Sequence, residues 1–475
     1  MTLGPRRRVA QAIAVGGGRV LAIGSSARLR PLAGRAAERV DCRGATVLPG
    51  LIDPHLHLFA LAARRVNLDC AAAESVDELL ALVARRAAEG PAGAWVRGEG
   101  VDEVRLGRLP AALELDAAAP GHPVRLRHRS RHASVLSSSA LHLLGGGPGI
   151  ERRDGMPTGL VSGREAQLGR LIGRLPSDAL ADGLAAAARE LAALGLVTVA
   201  DATPRSYRAL RPLRSAIGAG RFRLRVFAMR PPGSRAWRAA QRLRPGAVKI
   251  MVEEGPHGLR PRPATLARLI ARAAASGAQV AVHCVGAATL AAALAAFAAL
   301  PSRLRAGRRH RLEHVAECPP PLIARIAALG LVVVTNPAFV HWRGDVYLGE
   351  TAAPARAWLY RARTLLRAGI PLAGASDAPV VPPSPWVGIA AARARRTAAG
   401  ATLGAAERLD AAAALRLFTT GAAFALDADG LGTLAPGGPA DLVVVEPDPL
   451  RAPPDELADA RVRLTLVAGE RVWPA

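Results

Sequence analysis

Lys249 is the only lysine of this chain, although the sequence contains 63 lysine and arginine residues in total. A lysine amine can lose its proton when it is buried and then react as a nucleophile, whereas an arginine guanidinium stays protonated. One product of that reactivity is a carbamate formed with CO₂, which converts a cation into a carboxylate-like metal ligand. The plain alternative is that one lysine has survived by chance.

Other residues with metal-ligand chemistry accompany this lysine along the chain. His55 and His57 are separated by one residue, so on a strand their imidazoles project from the same face. His283, His314 and Asp377 follow in later apolar runs. Four imidazoles, one carboxylate and one lysine that can form a carbamate suit a borderline divalent metal. Zn²⁺ is the expected ion, and Mn²⁺ or Fe²⁺ are also compatible with these ligands.

The segments that carry these residues alternate with helical stretches rich in Ala, Leu and Arg, which is typical of βα units and a parallel sheet. The predicted strands are residues 47–58, 197–203, 223–229, 247–253, 279–285, 311–315, 331–337 and 371–379. Eight such runs predict an α/β fold with a (β/α)₈ TIM barrel. The ligand-type residues lie at or near the C-terminal ends of strands, where barrel enzymes build their sites.

Each of these residues also has an ordinary alternative role. A His-x-His pair occurs on many surfaces, and a single strand histidine is more often a core residue with one satisfied hydrogen bond. Asp377, which stands before Ala-Pro, could cap a turn. The joint arrangement favours a metal site, because all six residues fall on the appropriate strands and one of them is the only lysine.

The rest of the chain predicts two additions to the barrel, which spans residues 49–424. Residues 1–48 and 425–475 contain short alternating runs and are expected to form the two parts of a small β-sandwich. The opening is short for that role, which suggests a truncated first strand. About 130 residues separate the first two barrel strands, more than one crossover requires, so we expect an inserted subdomain at about 59–192.

Composition excludes several classes of function. The net charge of +25 comes from arginines scattered through every segment, so we expect a small-molecule substrate and no nucleic-acid partner. Four widely spaced cysteines fit a reducing compartment. We find no signal peptide and no apolar stretch of membrane-spanning length, so we expect a cytoplasmic protein without a membrane partner. A homodimer is the commonest assembly and is the default expectation.

Several longer motifs point to a known family. They are VLPGLIDPHLHL at 47–58, WVRGEGVDE at 95–103, SRHASVLSSSAL at 130–141, AVKIMVEE at 247–254, VAVHCVG at 280–286, RLEHVAE at 311–317, ASDAPVVPPSPWVGI at 375–389 and GTLAPGGPADLVVVEPDP at 432–449. With these motifs the chain resembles the amidohydrolase superfamily over nearly its full length. Within it, the chain resembles the YtcJ-like group (amidohydrolase family 3), which includes N-substituted formamide deformylases.

The resemblance implies a metal-dependent hydrolase acting on a non-peptide C–N bond, in an amide, an N-substituted formamide or a cyclic amide. It implies that His55, His57 and Asp377 hold a first metal ion. A metal-bound hydroxide would be the nucleophile. Asp377 would act as the general base and then as the general acid toward the departing amine.

The resemblance implies a second metal ion only if Lys249 is carboxylated. The carbamate would then bridge the two ions, and His283 and His314 would hold the second. Glu313 lies beside His314 but points the opposite way along the strand, so we expect a supporting role for it.

Candidate substrate contacts lie in the insert. The resemblance singles out His132, with Arg131, Trp95 and Glu99 as companions. The family commonly has an acidic residue and Gly before this histidine, whereas this chain has Ser130 and Arg131. Arg131 would suit an anionic group on the substrate.

Two other functions remain compatible with the sequence. A deaminase or a lactonase could use the same metal site, because a fold does not fix the chemistry. A non-catalytic binding protein on a relic barrel would be expected to have lost ligands, whereas the ligand set here is complete.

Overall fold

The computed structural model describes residues 9–35, 37–129, 133–173, 175, 177–255 and 258–474. The chain divides into two compact units, one formed by Met1–Leu58 with Ala188–Ala475 and the other by Phe59–Ala187. The second unit lies within residues 59–192, where the sequence predicts the insert, and it follows the first barrel strand.

The first unit contains the barrel. Within the described residues, eight strands form one parallel sheet in chain order, from the first strand to the eighth. The strands are Leu51–Leu56, Leu196–Asp201, Arg225–Arg230, Leu243–Ile250, Val280–Cys284, Arg311–His314, Val332–Thr335 and Leu372–Gly374. The sheet closes because the Asp377 N–H donates to the His55 carbonyl at 2.9 Å and the His57 N–H donates to the Ala378 carbonyl at 2.7 Å. The predicted (β/α)₈ barrel is therefore confirmed.

The first predicted strand proves to be two strands. Thr46–Pro49 pairs with the sandwich strand Leu442–Glu446, whereas Leu51–Leu56 pairs with the second barrel strand. The division falls at Gly50, where an added Cβ would lie 2.3 Å from the side chain of Val197. Every residue of Leu51–Leu56 is buried, as is usual for a parallel strand covered on both faces.

Helices follow most of the barrel strands. The helices of this unit with six or more residues are Arg211–Gly218, Pro263–Ala275, Ala287–Ala298, Pro320–Ala328, Ala338–Glu350, Ala362–Arg367, Pro385–Ala394, Ala411–Leu417 and Thr420–Ala425. The helix Pro385–Ala394 shows why they begin where they do. The Ser384 hydroxyl caps it by accepting the Val387 N–H, and Pro385 occupies its first position. Among the described residues, no helix has both the length and the apolar composition of a membrane span.

Both ends of the chain build the β-sandwich, as predicted. One sheet contains Thr46–Pro49, Leu442–Glu446, Arg461–Val467 and Glu470–Trp473, and the other is the hairpin Ala12–Gly16 with Arg19–Gly24. They share one apolar core, whose buried residues are Val20, Leu434, Ala440, Leu442, Val444 and Leu464.

The second unit has its own mixed sheet and core. In spatial order its strands are Leu68–Asp69, Val96–Val101, Val124–His128, Ala133–Leu136, Met156–Ser162 and Ile150–Arg153. Its helices include Val76–Ala88, Ala112–Ala118, Ser138–Leu144 and Glu165–Ile172. The helices Leu58–Val66 and Ser177–Ala193 contain the points where the chain passes from one unit to the other.

The close packing of Gly388 against Phe418 can be tested by substitution. An added Cβ at Gly388 would lie 2.6 Å from Cζ of Phe418, which is buried. We therefore expect Gly388→Ala to lower the free energy of unfolding by about 1–3 kcal/mol. Gly349→Ala is the matched control, because no atom lies within 4 Å of its Cβ position, and alanine there should be neutral or stabilising by about 0.4–1 kcal/mol. Urea unfolding midpoints check both, and equal midpoints would contradict the tight packing.

Candidate metal centre

His55, His57 and Asp377 come together at the junction of the first and eighth barrel strands. Their ligand atoms all lie within 4.8 Å of one another. Nε2 of His57 is 3.2 Å from Oδ1 of Asp377, and Nε2 of His55 is 3.5 Å from the same oxygen. The alternation of side chains along Leu51–Leu56 and its extension puts both imidazoles on one side, as the His-x-His spacing predicts. The buried Asp53 carboxylate supports this junction by accepting the backbone N–H groups of His55 and Ser376.

A buried ion pair orients His55. The Glu313 carboxylate accepts hydrogen bonds from Nε and Nη2 of Arg311 at 2.7 and 2.9 Å, and it contacts Nδ1 of His55. Burial raises the pKa of Glu313, but the charge of Arg311 and the contact with His55 outweigh it and hold the pKa well below its usual range. An ionised Glu313 accepts the Nδ1 proton, which leaves Nε2 of His55 as the free lone pair that a metal ion needs.

The imidazoles of His57 and His314 are oriented in the same way. Nδ1 of His57 lies 2.7 Å from the Thr203 hydroxyl oxygen, and Nδ1 of His314 lies 2.8 Å from Oδ1 of Asn336. Since an amide oxygen only accepts, His314 carries its proton on Nδ1 and presents Nε2. Partners of this kind fix the tautomer and the ring orientation of histidines that bind metals.

The imidazole of His283 extends the group across the barrel. The ring centroids of His283 and His314 are 4.6 Å apart, and those of His55 and His314 are 4.7 Å apart. Burial lowers the pKa of His55 to about 3 and of His283 to about 2, with further lowering by neighbouring positive charge. The imidazoles of His55 and His283 are therefore neutral at pH 7, which is the form that binds a metal ion.

Lys249 is buried beside this group, on the fourth strand. Only 2% of its surface is exposed, and its Nζ has no hydrogen-bond partner among the described residues. Burial lowers the pKa of the amine, although the charges of Glu313 and Asp377 oppose the shift. Burial therefore favours the neutral amine, which is the form that reacts with CO₂.

The donor set fits a divalent cation. Burial raises the pKa of Asp377, but the contact with His57 and the positive charge that the neighbouring imidazoles carry at low pH outweigh it and hold the pKa below its usual range. Despite its distance of 3.2 Å from His57, Oδ1 of Asp377 receives no well-directed hydrogen bond. A buried polar atom without a partner is costly, and here two such atoms, on Asp377 and Lys249, lie among neutral imidazoles. A bound cation would satisfy the carboxylate oxygen.

The structure describes two of the four substrate-contacting residues predicted in the insert. Ser130, Arg131 and His132 lie outside the described residues. Trp95 packs against the apolar core of the second unit, and Glu99 is half-buried on the strand Val96–Val101. Contact of these side chains with a substrate stays a prediction.

Sequence reasoning missed the residues that orient the histidines. Thr203 lies two residues past the second strand, and Asn336 directly follows the seventh. A polar residue at the C-terminal end of a barrel strand is the signal that could have found them. Arg311 is missed because a strand arginine in a chain this rich in arginine carries no distinguishing mark.

The metal-free protein should lose stability as the pH falls from about 7 to about 5. The buried imidazoles whose pKa is lowered in the folded chain are those of His55, His283, His310 and His314. In the unfolded chain these groups bind protons below about pH 6.5, so the free energy of unfolding falls by up to about 1.4 kcal/mol per pH unit for each imidazole. Burial raises the pKa of Asp53 to about 7 and also raises that of Asp201, and these carboxyls act in the opposite direction. The imidazoles outnumber them, so a net loss is expected.

Urea midpoints of chelator-treated protein at pH 7.0 and about pH 5.5 measure this effect. A midpoint that is unchanged or higher at the lower pH would show that the imidazoles are not neutral and buried in the folded state.

Comparison with known proteins identifies the family of this chain. Residues 38–473 match the amidohydrolase family. The chain is 30% identical over 525 residues to the N-substituted formamide deformylase of Arthrobacter pascens, covering 98% of this chain and 96% of that protein. It is 28% identical over 514 residues to the putative amidohydrolase YtcJ of Bacillus subtilis strain 168, with the same coverage of 98% and 96%.

A solved protein structure has the same fold as this chain. An uncharacterized metal-dependent hydrolase from Pyrococcus furiosus superposes with a TM-score of 0.76 at 26% identity, over 92% of this chain and 95% of that chain. The resemblance to the YtcJ-like group is confirmed at the level of sequence and fold, and this chain belongs to the amidohydrolase family.

Proposed function

We propose that this protein is a metal-dependent amidohydrolase that hydrolyses a non-peptide C–N bond in an N-substituted formamide, a simple amide or a cyclic amide. The observation that carries the proposal is the convergence of His55, His57 and Asp377 within 4.8 Å at the C-terminal end of an amidohydrolase barrel. The similarity to the Arthrobacter pascens deformylase over 98% of this chain supports the choice of bond.

His55, His57 and Asp377 would hold one divalent ion, with Zn²⁺ the best match for two imidazoles and a carboxylate. The Lys249 amine would add to CO₂ through a new N–C bond and lose a proton, and the oxygens of the resulting carbamate would help to hold a second ion. His283 and His314 would hold that second ion. Such ions supply Lewis acidity toward a carbonyl oxygen and lower the pKa of water.

Asp377 is the residue that would move protons. Its carboxylate is ionised at neutral pH, since its pKa is held below the usual range, so it can accept a proton from the water that attacks the substrate carbonyl. When the C–N bond breaks, the same proton passes from Asp377 to the departing nitrogen. The products are a carboxylic acid and an amine, and Asp377 returns to its starting state.

Metal content is the first test. We expect close to two ions per chain in protein purified with bicarbonate and without chelator, and a clear fall in Lys249→Arg, because guanidinium does not form a carbamate. In Lys249→Ala, added acetate or propionate should restore part of the metal content and of the activity by placing a carboxylate in the vacated space. Elemental analysis and formanilide hydrolysis are the readouts. One ion in both parent and Lys249→Arg would contradict the carbamate, and no ion in the parent would overturn the proposed function.

Asp377→Asn should lower kcat by about 10²–10⁴-fold, because an amide cannot take up and return the proton. Asp429→Asn is the matched control, since Asp429 is exposed and pairs only with Arg309 in the contacts described for it, and it should leave kcat unchanged. Steady-state kinetics with metal content measured on the same samples separate loss of the base from loss of metal. An Asp377→Asn enzyme that keeps its metal and most of its kcat would rule out Asp377 as the base.

A further inference from the structure

Two tyrosines meet at the mouth of the barrel, outside the ligand set. The hydroxyl oxygens of Tyr347 and Tyr360 are 3.0 Å apart. The Tyr360 N–H donates to the Ala316 carbonyl at 2.8 Å, two residues past His314. Tyr347 lies on the helix Ala338–Glu350, which begins two residues after Asn336, the partner of His314. Both phenols are therefore attached to segments that leave barrel strands at their C-terminal ends, the face that binds substrates.

The hydrogen bond between the two phenols has a preferred direction. Tyr360 is 4% exposed, and its hydroxyl contacts the Tyr347 oxygen. A buried hydroxyl proton needs an acceptor, so Tyr360 donates to Tyr347. Because the Tyr347 oxygen accepts the Tyr360 proton, its own proton is left for another acceptor.

The phenols are held rigidly by the packing and hydrogen bonds around them. Tyr360 belongs to an apolar cluster with Leu359 and Leu403, and Tyr347 packs against it. The buried Arg395 guanidinium donates to the carbonyls of Leu359 and Tyr360 at 3.0 and 2.9 Å. The negative charge of Asp377 contributes to raising the pKa of both phenols. A donor that is fixed before substrate arrives needs no rearrangement during the reaction.

We propose that Tyr347 donates a hydrogen bond to the carbonyl oxygen of the substrate, which becomes negatively charged as water adds to the carbonyl carbon. Tyr347 is half-buried, so part of its side chain stays accessible. Tyr360 is a positioning residue, since it acts on the reaction through the Tyr347 oxygen. This assignment rests on the proposed function and adds a residue that neither the sequence motifs nor the ligand set contains.

Tyr347 suits a hydrogen-bond donor better than a general base. Burial raises the pKa of its phenol, and this outweighs the lowering by Tyr360 and Arg343. The hydroxyl therefore stays protonated at neutral pH. Donors that accept hydrogen bonds themselves are polarised and donate more strongly.

The kinetic test compares three single-atom deletions on metal-loaded enzyme with formanilide as substrate. Tyr347→Phe should lower kcat by about 10²–10³-fold with a small change in KM, the usual cost of removing one donor to a developing oxyanion. Tyr360→Phe should lose less, because it removes only the polarising donor. Tyr207→Phe is the matched control, since Tyr207 is 39% exposed and stacks on Trp237 at 5.5 Å, and it should match the parent. A Tyr347→Phe enzyme within about threefold of the parent, at equal metal content, would overturn the assignment.

A binding measurement separates this assignment from the proposed function. Benzylphosphonate carries tetrahedral anionic oxygens, and calorimetry on the metal-loaded proteins should show binding at least about tenfold weaker to Tyr347→Phe than to the parent or Tyr207→Phe. If the parent hydrolyses no amide but the phosphonate shows this difference, the proposed function fails and the role of Tyr347 stands. If the parent hydrolyses formanilide and Tyr347→Phe equals it in rate and in phosphonate affinity, the role of Tyr347 fails alone. A parent that neither binds the phosphonate nor hydrolyses the amide overturns both.

Discussion

Two backbone hydrogen bonds, from Asp377 to His55 and from His57 to Ala378, join the first and eighth strands, and the site depends on them. The residues that close the barrel are the same residues that carry the clustered ligand atoms. A slip of one residue in the register of either strand would turn its side chains to the opposite face. Closure of the fold and assembly of the candidate metal centre are therefore one constraint. The Asp53 carboxylate reinforces it, since it accepts backbone N–H groups from both strands.

The buried pair of Arg311 and Glu313 has a related role in the barrel interior. Arg311 donates to the Pro54 carbonyl on the first strand and to the Ala425 carbonyl, so it ties the sixth strand to its surroundings. Replacing one member of such a pair leaves an uncompensated buried charge, whereas the intact pair by itself contributes little to stability. Its value lies in keeping Glu313 ionised, because an ionised carboxylate fixes the proton of His55 on Nδ1. Stability and ligand chemistry are again linked through one contact.

The sequence predicts most of the barrel because the strand signals are local. Apolar runs of four to eight residues mark each strand, and the position of a ligand-type residue within the run places it near the C-terminal end. The division of residues 47–58 at Gly50 was not predictable in this way, because both halves are equally apolar. What separates them is the close approach of Val197, a contact between residues distant in sequence. Hydrogen-bond partners such as Thr203 and Asn336 could not be predicted for the same reason. Residue spacing shows which face of a strand a side chain occupies, but not which residues it contacts there.

The position of the only lysine follows from the same electrostatics. An arginine at residue 249 would bring five N–H donors and a permanent charge into a buried space where Nζ has no partner. It would also repel any cation bound among the neighbouring imidazoles, of which His55, His283 and His314 are kept neutral by burial. A lysine amine can lose its proton under that same burial, so its charge is removable where a guanidinium's is not. In a chain that otherwise uses arginine in place of lysine, the lysine stands at a buried position where a fixed positive charge would have no hydrogen-bond partner among the described residues.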